Sequence, residues 1–91
     1  MTEQDVREIL SDIDLFYWEL IDNSLYHRGH TGNVNNGAHY QLILVSDDFQ
    51  NLDKVQRHRL IYQKFASALK TQIHALGLKL MTIKEWRDYH N

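Results

Sequence analysis

His39-Tyr40-Gln41-Leu42-Ile43-Leu44-Val45-Ser46 decides the fold. Its centre is apolar on both faces, which predicts a central strand covered on each side. Asp47-Asp48 ends it. Downstream, Asp53 caps a helix running to about Lys70, with Val55, Tyr62, Phe65, Ala66 and Leu69 in one apolar stripe at 100° per residue. Ile73 to Leu80 reads as a strand, so a helix joins it to the central one. That connection predicts a parallel pair through a right-handed crossover. Upstream, Leu15 to Asp22 is rich in aromatic and branched residues and reads as the first strand, antiparallel to the second across a loop. Thr2 with Asp5 forms a capping box for a helix over Glu3 to Ser11 carrying Val6, Ile9, Leu10 and Ile13. Thr82 with Glu85 does the same for a last helix over Ile83 to Tyr89. The order is α-β-β-α-β-α: one α+β domain over residues 1–91, a three-stranded mixed sheet packed against helices.

Ninety-one residues, 43 % hydrophobic and 24 % charged, fit one globular core and exclude a disordered tail or a fibrous rod. There is no cysteine, hence no disulfide, no thiolate nucleophile and no self-contained cysteine metal site. No apolar run approaches the roughly 18 residues of a membrane span. The acidic opening Met-Thr-Glu-Gln-Asp lacks the apolar region of a secretory signal, so a cytoplasmic protein is expected. Charge is unevenly spread. Residues 1–53 hold ten acids and two bases, a net of −8; residues 54–91 hold eight bases and two acids, a net of +6. Either the second half presents a basic face to an acidic partner, or the halves interleave and neutralise each other.

Six histidines are present, four of them (His27, His30, His39, His58) within 32 residues. Asn23 to Ala38 is a glycine- and asparagine-rich loop of about 16 residues, longer than compact domains usually carry. Parallel neighbours begin at the same end of a sheet, so His74, near the start of the third strand, is expected beside the loop holding His27 and His30. Converging imidazoles can bind a metal; the plainer alternative is two solvated loop residues and one hydrogen-bonded strand end. On the helical wheel His58 falls among Val55, Ile61, Tyr62 and Phe65. It is therefore expected to be a buried structural histidine with its ring nitrogens hydrogen-bonded. Arg57 and Arg59 flank that face and, with Lys64, can meet phosphates; the alternative is a solvated helix face. Gly29-His30-Thr31-Gly32 has the letters of an RNA-binding backbone clamp but lies between strands where helices are required. No Ser/His/Asp set, phosphate loop or carboxylate pair is present, so nothing argues for an enzyme.

Val45-Ser46-Asp47-Asp48-Phe49, Val55-Gln56-Arg57-His58-Arg59-Leu60-Ile61-Tyr62, Ile73-His74-Ala75-Leu76-Gly77-Leu78 and Thr82-Ile83-Lys84-Glu85-Trp86 together resemble the BolA family, over about Leu20 to Trp86. The resemblance implies a class II KH-like fold of order αββααβα. It implies a partnership with a monothiol glutaredoxin, in which a 2Fe-2S cluster is shared between glutaredoxin, glutathione and the BolA-like chain. The metal ligands it implies here are His74 and the loop residue His27, with His30 as the alternative. His39 is expected to matter least to such a cluster. The chain alone is expected to be a monomer without cofactor that forms a heterodimer with glutaredoxin. Some members are DNA-binding regulators of transcription and stress response, an activity that would draw on Arg57, Arg59 and Lys64. Three departures are visible: Asn23-Ser24 replaces Glu-Ser, Asn36-Gly37-Ala38-His39-Tyr40 replaces Ser-Glu-Ser/Thr-His-Phe, and the loop has no proline.

Overall fold

The computed structural model describes residues 1–23 and 38–90. Helix α1 (Glu3–Ile9) is followed by strands β1 (Tyr17–Asp22) and β2 (Ala38–Val45) and a 3-10 turn at Asp47–Phe49. Helices α2 (Lys54–Lys64) and α3 (Ala66–Thr71), strand β3 (Ile73–Met81) and helix α4 (Ile83–His90) complete the chain. The strands lie in the order β1-β2-β3, β1 antiparallel to β2 and β2 parallel to β3, as the connection lengths require. Among the described residues no helix is long and apolar enough to cross a membrane.

One sheet face holds the core. Tyr40, Leu42 and Leu44 of β2 and Leu76 of β3 pack with Val6 and Leu10 from the α1 segment, Phe49 from the turn, and Ile61, Phe65 and Ala68 from α2 and α3. Helix starts follow their sequence signals. Thr2/Asp5, Asp53/Gln56 and Thr82/Glu85 all form reciprocal capping boxes. The Ser46-Asp47-Asp48 stretch ties three segments together. Ser46 Oγ donates to the Asp14 carbonyl (2.7 Å), Asp48 accepts from the Asp14 N–H (3.0 Å), and Asp47 accepts from the first N–H of α4, at Ile83 (3.1 Å).

The expected single helix to Lys70 is broken at Phe65, which is fully buried with its N–H shared between carbonyls of the preceding turn. The buried stripe of α2 is also turned by about 100° from the expected one, one residue step on a helix. Arg57 and Ile61 face inward, whereas Val55 is 60 % exposed and His58 is exposed. The reason is Arg57. A wheel scores arginine as polar and turns it outward, yet this guanidinium is saturated with partners inside. Its Nε donates to the carbonyls of Phe49 (3.1 Å) and Leu52 (2.9 Å), and Nη1 donates to that of Leu80 (3.3 Å). Both Nη atoms also donate to Glu85, at 2.7 and 3.3 Å. Only 7 % of Arg57 remains exposed.

Removing the guanidinium strands two or three carbonyls and a carboxylate at once, so Arg57→Ala is expected to cost about 2–4 kcal/mol in a urea unfolding curve. A loss below about 1 kcal/mol would reduce the contact to an ordinary surface pair. The hydrogen bonds from Arg57, and then the N–H of Thr82, hold the Glu85 carboxyl below its ordinary value of 4.5. The folded state thus favours the ionised form. This contribution is complete above the unfolded value and is lost as pH falls through the lower folded one. Glu85→Gln should flatten the acid limb of the stability profile, and an unchanged limb would speak against the pair.

Candidate metal centre at the sheet end

β2 and β3 begin at the same end of the sheet, and the ladder between them is irregular there. Ala38 pairs with Ile73, but His39 pairs with Ala75, leaving His74 as an extra residue on β3. The burial pattern carries the same signature: Ile73 and Leu76 are buried while His74 and Ala75 between them are both exposed. A bulge of this kind re-aims one side chain. Counted back from the Tyr40–Leu76 pair, strict alternation would turn His74 to the core face with Leu76, away from His39. With the bulge, the two rings meet, centroids 5.0 Å apart and planes tilted by 47°. The sequence does not place His39 against His74; the structure brings their rings into contact.

The pair offers two imidazole nitrogen donors on a strand scaffold, a donor type suited to a borderline or soft metal. His27 and His30, the expected loop partners, lie outside the described residues. Among the described residues no group of three or more His, Cys, Asp and Glu side chains converges to hold a metal. A 2Fe-2S cluster still fits the donor type, because imidazoles can replace thiolates on one iron. The fit requires the remaining ligands to come from elsewhere.

The basic helix is placed differently from expectation. Of the three residues read as phosphate contacts, Arg57 is consumed inside the fold. Lys64 is mostly buried and paired with Asp12, whose carboxyl it holds below the usual range by that hydrogen bond. Only Arg59 stands out in solvent. His58, expected to be buried, lies on the surface with its ring stacked on Tyr62 at 4.5 Å. Tyr62 is the one held, its hydroxyl donating to the Leu76 carbonyl (3.0 Å). His58→Ala should therefore cost less than about 1 kcal/mol, the worth of an exposed aromatic contact. A thermal melt lowered as far as that of Arg57→Ala would restore a structural role.

A family model described as BolA-like protein matches residues 9–85. Two relatives are each described as the DNA-binding transcriptional regulator BolA. The one from Haemophilus influenzae is 45 % identical over 58 residues, covering 64 % of this chain and 56 % of the relative. The one from Escherichia coli is 40 % identical over 70 residues, covering 77 % and 64 %. The matched part thus spans less than two thirds of either. Among solved structures, BolA1 from Arabidopsis thaliana superposes with a TM-score of 0.79 at 29 % identity, covering 93 % of this chain and 95 % of that one.

Proposed function

This chain belongs to the BolA family, and we propose that within it the chain is a non-catalytic partner of a monothiol glutaredoxin, sharing a 2Fe-2S cluster through His74 and a second histidine. The observation that carries the reading is the bulge at the start of β3, which aims His74 to the face of His39. A bulge leaves an unpaired residue in a ladder and so costs pairing. What it gains here is an exposed imidazole beside another, on strands rather than on a loop. When bound, the cluster would supply a redox-active, transferable iron–sulfur unit. The chain itself would present His74 on the bulge at the start of β3, bring His39 against its ring, and offer His27 or His30 as a further ligand. Glutaredoxin and glutathione would provide the thiolates that a cysteine-free chain lacks.

The test adds cluster-loaded monothiol glutaredoxin to the wild-type chain and to His74→Ala, His39→Ala, His27→Ala and His30→Ala, followed by visible circular dichroism. His74→Ala should abolish the spectrum of the heterodimer. His27→Ala should change it strongly, and His30→Ala less. His39→Ala should shift it and weaken cluster retention several-fold, because His74 loses its neighbour. An unchanged spectrum in His74→Ala would end the proposal.

The second reading is a DNA-binding regulator, and the descriptions of the two bacterial relatives favour it. Here it would rest on Arg59 rather than Arg57 or Lys64. If it holds, Arg59→Ala should lower the slope of log K against log salt by about 1, the loss of one phosphate contact. A slope unaffected by Arg59→Ala would take α2 out of the DNA reading.

A further inference from the structure

β3 is an edge strand, and its outer side faces α2. The carbonyls of Leu76 and Leu80 accept there from Tyr62 Oη and Arg57 Nη1. Backbone groups on one side of a strand recur every second residue. Leu78, midway between those two, therefore turns its N–H and C=O to the same side. The carbonyls of Leu76 and Leu80 are thus engaged, while Leu78 lines a groove of about 520 Å³. The floor is aliphatic: Leu78, Leu80 and Met81. Lys54 and His58 of α2 form one wall and Tyr89 of α4 the other, with Lys79 between. A shallower depression lined by Lys54, Val55, His58 and Arg59 extends it along α2. The one acid in the groove, Glu85, is bound by Arg57 and by the Thr82 N–H, so Lys54, Arg59 and Lys79 set the local field.

We propose that this groove docks an acidic, extended segment of a partner protein. The segment pairs with the N–H and C=O of Leu78 as a short added strand. Its carboxylates face Lys54, Lys79 and Arg59, and an aliphatic side chain enters over Leu78 and Leu80 or against exposed Val55. The backbone spacing favours a peptide, since the charge alone attracts either polyanion. A single strand of nucleic acid needs open aromatic faces on which bases stack. Of the rings lining the groove, Tyr89 already carries the Lys79 ammonium at 4.3 Å and the His90 ring at 5.2 Å, and His58 is stacked on Tyr62 at 4.5 Å. Leu78 lies four residues beyond His74, roughly 13 Å along the strand, so the groove is separate from the imidazole pair and does not depend on the reading of that site.

The test is an amide-resolved NMR titration of the full chain with a blocked hexapeptide of alternating glutamate and leucine. Three comparison probes run beside it: the lysine/leucine analogue, the acidic peptide N-methylated on alternate residues, and a short oligothymidylate. The expected result is saturable shifts at Leu78 to Met81 and Lys54 to Arg59 with the acidic peptide. Affinity should fall about fivefold or more between roughly 0.05 and 0.3 M salt. It should fall about tenfold on Lys54→Glu with Lys79→Glu, whose melting curve confirms folding, and on N-methylation of the pairing edge. No saturable shift at the groove would overturn the proposal. So would equal binding by the lysine/leucine or N-methylated peptide, or a groove that takes oligothymidylate and not the acidic peptide.

Discussion

The guanidinium of Arg57 joins three parts of the chain at one point. It caps the turn after β2 through the carbonyls of Phe49 and Leu52, the edge strand through that of Leu80, and the start of α4 through Glu85. A planar fork with five donors is the side chain that can do this from one position; a lysine ammonium has neither the reach nor the geometry. Glu85 is likewise shared, closing the capping box of α4 on the Thr82 N–H while receiving Arg57. The rotational phase of α2 follows. With Arg57 turned in, Ile61 seals the core and His58 and Arg59 are left outside.

Two ends of β3 then take on different work. At its start the ladder gives up one pairing, and the extra residue carries an imidazole to the face of His39. Toward its end the strand keeps strict alternation, because Tyr62 and Arg57 grip its outer carbonyls at Leu76 and Leu80 and leave Leu78 between them. Rigid strands hold such groups more closely than loops can. A partner could thus meet a donor site and a cationic edge on one element.

α4 closes the molecule from the other side. Trp86 stacks on Tyr17 with centroids 4.7 Å apart, so the last helix covers the end of the sheet face opposite the core. Asp47 fixes where that helix begins by accepting the N–H of Ile83. Lys64 with Asp12 joins the acidic first half to the basic second half, while the pairs Arg57–Glu85 and Lys84–Asp88 lie within the second.

Apart from the break between α2 and α3, the sequence by itself determined the element order, the antiparallel and parallel pairings, two of the capping boxes and the Asp53 cap. These rest on local chemistry and on connection length, which act over a few residues or through simple chain geometry. The family was legible for the same reason, in contiguous motifs such as Arg57-His58-Arg59 and Ile73-His74-Ala75-Leu76. Tertiary structure alone decided which way α2 turns. Periodicity counts arginine as polar, and only three carbonyls, two from the turn after β2 and one from β3, together with one carboxylate make burying it favourable. It also decided that His58 is exposed, that Lys64 is spoken for, and that His74 meets His39. With Tyr40 opposite Leu76, that meeting needs one residue more on β3 than on β2, and the register between two strands separated by two helices is set by how the whole core packs, not by either strand's own residues.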